Sequence, residues 1–242
     1  MLGHEVEGVL DGGARVTVVH HVPCGSCERC RAGHQSTCGE FRALRIAPGG
    51  FAEQLRASHC VPLPESLNDG DGIWVEPLAC ILRAAERVPH GRVLVVGCGA
   101  IGQLWVQVLH ARGDTVLAAD PREERLVRAR ELGAATGDES VDAAVITAPA
   151  GVNVALQRVV PGGTLLVFAA EHEPTPTALD AVYRKELTVV GSRSATPAYF
   201  RDALDVLPTL VLPPQTRLPL DRFLEGIDLY RRGEALKVVF TP

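Results

Sequence analysis

No apolar stretch of this 242-residue chain is long enough to cross a bilayer as a helix, so a membrane-spanning role is not expected. It also lacks a basic patch. Its 24 Lys and Arg are scattered among 29 Asp and Glu, for a formal charge of −5, which argues against a nucleic-acid partner. There is no internal repeat and no low-complexity segment, so a solenoid or a disordered linker is not expected. The first residues, MLGHEVEGVL, do not follow the charged-then-apolar layout of a secretion signal, and a cytoplasmic location is expected. Seven cysteines would be unusual there as disulfides, and four of them lie close together. With 46% hydrophobic and 22% charged residues, the composition suits a folded chain of one large or two modest domains.

The most informative stretch is 92–120, RVLVVGCGAIGQLWVQVLHARGDTVLAAD. Residues 93–96 are a short apolar β-branched run, as in a parallel strand covered on both faces. Gly97, Cys98, Gly99, Ala100, Ile101 and Gly102 then spell G-x-G-x-x-G. Ile101, Leu104, Trp105, Val108 and Leu109 recur at helical spacing until Gly113. Residues 115–119 form the next strand, and Asp120 ends it. In a dinucleotide site the first glycine permits a tight turn, the second makes room for the pyrophosphate, and the third lets helix and strand pack closely. The helix N-terminus favours the diphosphate. An acid at position 120 would accept bonds from both ribose hydroxyls and repel a 2′-phosphate, which selects NAD over NADP.

The remainder alternates. Strands are expected at 6–9 and 14–20 around the turn Asp11-Gly12-Gly13, and at 51–57 after Gly49-Gly50. A helical pattern begins near Gly72, with Pro77 bending or restarting it. A helix at 121–132 would be capped by Asp120. Then come a strand at 142–148, a helix at 152–160, a turn at Pro161-Gly162-Gly163, a strand at 164–169, a helix at 178–185 and a strand at 187–191. This order implies a doubly wound parallel sheet. Only 134–141 separates the 121–132 helix from the strand at 142, too little for a strand and its crossover helix. The sheet's third strand is therefore vestigial or lacks its helix. A helix at 197–207 and a strand–helix–strand tail at 216–242 complete the chain.

Cys24, Cys27, Cys30 and Cys38 give C-x2-C-x2-C-x7-C. Four thiolates close a tetrahedral zinc site of the structural kind. An iron–sulfur run of the bacterial ferredoxin type would place three residues and a proline around its fourth cysteine; here there are seven residues, and Gly39 follows. His4, Glu5 and Glu76 are candidate ligands whose individual contexts are unremarkable; Glu-Pro, for example, often simply opens a helix.

Taken together, the motifs resemble the zinc-containing medium-chain dehydrogenase/reductase family. The resemblance rests on Gly3-His4-Glu5, the four-cysteine lobe, Gly50-Phe51-Ala52-Glu53, Glu76-Pro77, the glycine turn, Arg125 with Leu132-Gly133-Ala134, Pro161-Gly162-Gly163 and Lys237-Val238-Val239. Glu76-Pro77-Leu78-Ala79 looks most like the polyol and threonine dehydrogenase branch. The resemblance implies a β-rich GroES-like catalytic domain at 1–77, a Rossmann domain at 78–212, and a return to the first at 213–242, with the active site in the cleft between domains. It implies a catalytic zinc held by His4, with Glu5 as a direct or outer ligand and Glu76 approaching from the far side of the site, and NAD held by the glycine turn, Asp120 and Arg125. It implies zinc-assisted hydride transfer between a secondary alcohol, or its carbonyl, and NAD, in a homodimer or homotetramer pairing through the 187–191 strand. The family's first zinc ligand is a cysteine upstream of Gly-His-Glu, and three residues precede His4, so a shortened catalytic domain is expected. Cys80, four residues after Glu76, can share its helix face, although core packing is its simpler use. The alternative expectation is a non-catalytic NAD-binding member that keeps only the structural zinc.

Overall fold

A computed structural model describes residues 3–42, 46–169 and 176–242. Short strands open the chain: β1 (Glu7–Val9) and β2 (Arg15–Val18) pair antiparallel across the expected glycine turn, and β5 (Cys60–Pro62) pairs with the other edge of β2. Between them lie α1 (Glu28–Arg31) and the two-residue strands β3 (Ile46–Ala47) and β4 (Arg56–Ala57). The strand expected at 51–57 is thus reduced to its last two residues. Phe51 packs against Phe223 and Phe240, at ring distances of 5.5 and 5.0 Å, instead of joining a ladder. Val6, Val18 and Ile46 form the small core of this part, with Leu55, Ala57 and Cys60 against it. A 3-10 turn, Gly72–Trp74, leads into α2 (Val75–Ala85). Pro77 lies in the first turn of α2, where its missing N–H leaves no bond unmade.

The α/β region begins at β6 (Arg92–Val96) and continues through α3 (Ala100–Ala111), β7 (Thr115–Ala119), α4 (Glu123–Glu131), β8 (Val141–Ile146), α5 (Val152–Arg158), β9 (Val159–Val167), α6 (Leu179–Arg184) and β10 (Thr188–Gly191). All five strands are parallel, in the order β10-β9-β8-β6-β7. This is a Rossmann-type doubly wound sheet, as the alternation implied. The core on one face contains Leu94, Val96, Leu117, Ile146, Leu156 and Leu165, all buried.

One local detail follows the sequence expectation and others differ from it. The missing third strand survives as one parallel bridge, Leu117 to Ala135, at the open edge of β7. Ala135 donates to the Val116 carbonyl at 2.8 Å and accepts from Ala118 at 2.9 Å, so the edge is covered without a crossover helix. Pro161-Gly162-Gly163 is a bulge inside β9 and not a turn between elements. Val159 pairs with Val141 and Thr164 with Ala143, so residues 160–163 lie opposite Asp142 alone. Gly162, at φ +77°, supplies the left-handed residue that this bulge needs. The helix after Asp120 starts at Glu123, and Arg122 occupies its N-cap.

The chain then adds α7 (Pro197–Val206), β11 (Thr216–Pro219), α8 (Phe223–Arg232) and β12 (Val238–Thr241), with β11 and β12 parallel across α8. Two compact units result. Met1–Leu82, Ser194–Leu210 and Pro214–Pro242 form one, and Arg83–Arg193 with Val211–Pro213 form the other. No helix among the described residues is long and apolar enough to cross a membrane.

In the second unit, Asp114 ties the loops around β6 together. Its side chain is 1% exposed, accepts the Gly91 N–H at 3.0 Å and the Arg112 Nε at 2.5 Å, and faces His90 Nδ1 at 3.3 Å. Burial alone would raise its pKa, but the Arg112 bond, the Gly91 N–H and the Arg112 and His90 charges hold it below the usual aspartate value. Because the folded value is depressed, this stabilisation is present above about pH 4 and fades as pH falls through the lowered value. Asp114→Ala is expected to cost about 3 kcal/mol near neutral pH. That corresponds to a thermal midpoint lower by ~6–12 °C, with the gap from wild type narrowing in acid. A scan across pH checks both parts.

Candidate functional site

At the end of β6 the backbone must reverse sharply, and each glycine of the turn has a separate structural cause. Gly97 sits at φ +93°, and a Cβ there would meet the Ala148 Cβ at 2.7 Å and Thr147 Oγ1 at 2.8 Å. A Cβ on Gly102 would lie 1.9 Å from the Gly97 carbonyl oxygen, so only glycine lets α3 begin this close to the strand. Gly99 differs. Its Cβ would enter open space, with Arg125 Nη1 the nearest atom at 3.9 Å. A side chain is excluded at two positions by the protein's own packing and at the third by nothing the chain supplies. That pattern fits a cradle shaped for a diphosphate. Ala100 and Ile101 form the first turn of α3, where backbone N–H groups have no partner within the helix.

Asp120 is fixed beside this turn. Its Oδ2 accepts the Cys98 N–H at 2.7 Å and its Oδ1 accepts the Arg122 N–H at 2.9 Å. It therefore braces the loop after β7 instead of capping α4. Arg125 Nη1 lies 3.7 Å from Oδ2, which puts its charge between the acid and the open side of Gly99. Each carboxylate oxygen keeps a second lone pair for a further donor, and the side chain is 2% exposed.

In the first unit the four sulfurs of Cys24, Cys27, Cys30 and Cys38 lie within 4.8 Å of one another. Cys24 Sγ is 3.9 Å from Cys30 Sγ and 3.6 Å from Cys38 Sγ, against ~3.8 Å between thiolates around one tetrahedral zinc. Backbone N–H groups of Cys27 and Cys24 donate to Cys24 Sγ and Cys38 Sγ at 3.3 and 3.5 Å. Cys30 and Cys38 are buried against Phe41, whose ring stacks on His21 at 4.5 Å. The donor set and its spacing fit zinc.

A second group forms in the same unit. His4, His20 and Glu76 each offer a ligand atom, and these atoms lie within 4.8 Å of one another. His4 follows Gly3, whose φ of +67° and carbonyl bond from the Gly50 N–H at 2.8 Å fix the entry to β1. His20 lies just beyond β2, and Glu76 opens α2. Burial pushes Glu76 up to about 7, although a bond from Cys80 Sγ at 3.4 Å opposes this. Burial, with the His21 and His4 charges, brings His20 down to about 3. A buried carboxyl beside neutral imidazoles is a donor set suited to a divalent metal.

The sequence-expected residues thus divide. His4 and Glu76 are brought together. Glu5 is not in the group: its carboxylate pairs with Lys237, an ammonium lowered to about 8 by burial and placed 5.0 Å over the Trp74 ring. A buried cation draws the nearest acid. His20 went unremarked because a lone histidine after a strand carries no local signal, and only folding brings it to Glu76.

The chain matches the Alcohol dehydrogenase GroES-like domain over residues 1–65. It is 31% identical to D-altritol 5-dehydrogenase of Agrobacterium fabrum over 227 residues, covering 79% of this chain and 67% of that protein. It is 28% identical to sorbitol dehydrogenase of Bombyx mori, covering 99% of this chain and 81% of that one. Among solved structures it is similar to galactitol-1-phosphate dehydrogenase from Escherichia coli, with a TM-score of 0.81 at 25% identity, covering 100% of this chain and 84% of that one. The chain belongs to the zinc-containing medium-chain dehydrogenase/reductase family, among its alcohol and polyol dehydrogenases.

Proposed function

We propose that this protein is a NAD-dependent, zinc-assisted dehydrogenase of secondary alcohols, with polyols and sugar alcohols such as altritol and sorbitol as the substrate class. The observation that carries the reading is the meeting of His4 and Glu76, two residues from separate motifs, in one metal-competent group. Bound zinc would polarise the alcohol or carbonyl oxygen and steady the negative charge developing there, and bound NAD would accept or donate the hydride.

The chain's own residues prepare each partner. His4 and Glu76 hold the metal. Gly97 and Gly102 keep the turn tight, Gly99 leaves space for the pyrophosphate, and Arg125 lends it charge. Asp120 receives the ribose hydroxyls while its backbone partners hold it still. Cys24, Cys27, Cys30 and Cys38 hold a structural zinc that orders their lobe. Native mass spectrometry tests the metal part of the reading. Two zinc ions per chain support it, and one zinc confined to the cysteine lobe rejects it.

The cofactor choice rests on Asp120. Asp120→Asn keeps the shape and removes the charge. NADP is then expected to gain on NAD in kcat/KM by about tenfold or more, since ~1.4 kcal/mol of repulsion corresponds to that factor. An unchanged NADP-to-NAD ratio would remove Asp120 from cofactor selection. Pairing between copies is proposed through β10, whose one strand neighbour among the described residues is β9 and which exposes Val189. A sedimentation mass of a single chain would reject it.

A further inference from the structure

We propose that His20 is the third protein ligand of the metal held by His4 and Glu76, and that Glu5 takes no part in the centre. The proposal rests on the reading that a metal binds at His4 and Glu76, and it specifies how that centre is completed.

The placement of His20 is built into the fold. β2 is the middle strand of its sheet, held by β1 on one edge and β5 on the other. Buried Thr17 donates its hydroxyl to the Val6 carbonyl at 3.1 Å. The Val19 N–H reaches the His59 carbonyl at 3.0 Å. The backbone is therefore fixed up to the residue before His20. The imidazole follows into a buried position, 4% exposed, with its ring centre 4.7 Å from that of His4.

What surrounds it does not explain it as a structural residue. His20 Nε2 lies 3.9 Å from Glu76 Oε1, too far for a hydrogen bond. Two ligands of one zinc stand ~3–4 Å apart, because each is ~2 Å from the ion. Nδ1 of His20 is buried and has no hydrogen-bond partner among the described residues. A buried imidazole retained without such a partner costs stability unless something else engages the ring. A metal shared with His4 and Glu76 would engage the ring through Nε2, the nitrogen that faces Glu76.

The competing ligands are accounted for. Glu5 is committed to Lys237, whose ammonium is itself buried over Trp74. Cys80 directs its thiol at Glu76 Oε1 from 3.4 Å, as a hydrogen-bond donor to the carboxylate. Two histidines and one glutamate leave the fourth tetrahedral position open, as a catalytic zinc requires and a structural one does not.

The test uses the full chain with zinc in the cysteine lobe and cobalt in the second centre. Two exchangeable imidazole N–H resonances shifted by the cobalt are expected, with no thiolate-to-cobalt charge-transfer band. His20→Ala and the space-keeping His20→Gln should each weaken the second metal by at least about a hundredfold while the lobe keeps its zinc. Glu5→Gln should still bind two metals. A single shifted imidazole, a thiolate band from Cys80, loss of the second metal in Glu5→Gln, or its retention at full affinity in both His20 variants would overturn the proposal and leave the two-metal reading standing. A wild-type chain that takes up only the lobe metal would reject that reading, and this proposal with it.

Discussion

Glu76→Ala is expected to lower kcat by about a thousandfold or more, because losing a proposed ligand of the second metal would remove ~4 kcal/mol of stabilisation from the charge that develops during hydride transfer. Glu76 is 6% exposed, and its neighbours among the described residues include the His4 and His20 rings and the Cys80 thiol, with no Lys or Arg ion pair among them. A carboxyl in that position destabilises the empty fold, so its removal should leave the thermal midpoint of the metal-free chain unchanged or raised. The second zinc should be lost, the lobe zinc kept, and NAD affinity unaltered, since the glycine turn and Asp120 lie in the other unit. Glu76→Gln sharpens the comparison. It preserves volume and hydrogen bonding but gives up the negative charge. If Glu76 served only to receive the Cys80 thiol, glutamine would retain activity; as a metal ligand, glutamine fails nearly as badly as alanine. Steady-state rates and metal content measured on the same preparations separate the two.

The second large effect is expected in the cysteine lobe. Structural zinc sites contribute ~10–16 kcal/mol to the folding of small zinc domains. Cys38→Ser removes a proposed ligand from a lobe whose apolar anchor among the described residues is the cluster of Cys30, Cys38 and Phe41, with Cys27 packed against it. One zinc per chain should be lost. Residues 24–38 should become readily cleaved by protease, and the thermal midpoint should drop by about ten degrees or more. The effect should begin locally and spread through Phe41, whose ring stacks on His21 near the end of β2. Because His20 adjoins His21, activity should fall as well, although among the described residues no cysteine of the lobe is in the group of His4, His20 and Glu76. A variant that keeps both zinc ions and resists protease would show that the lobe is held by packing alone.

Sequence revealed most where a structural cause is local. The glycine turn could be read because strand, turn and helix each impose their own residue: Gly97 and Gly102 are crowded by their own surroundings, and Gly99 faces open space. The cysteine lobe could be read for a similar reason: its four ligands lie in one short stretch. The vestigial third strand could be read from length alone, and it persists as the bridge at Ala135. What escaped notice depends on partners distant along the chain. His20 carries no motif, and only the fold brings it beside His4 and Glu76. Glu5 stood in a suggestive tripeptide, but Lys237 near the other end of the chain claims it. Phe51 looked like the start of a strand until Phe223 and Phe240 gave it an aromatic cluster to join. Asp120 was correctly placed at the end of β7, yet it braces the loop through Cys98 and Arg122 instead of capping α4.

The central claim is chemical, and turnover tests it most directly. The protein, loaded with two zinc ions per chain and saturated with NAD, should form reduced nicotinamide from a panel of secondary polyols. NAD should be preferred over NADP by at least about tenfold, and the signal should vanish in Glu76→Ala. A fully loaded protein that oxidises no member of the panel, and reduces none of the corresponding ketones with NADH, would contradict the claim.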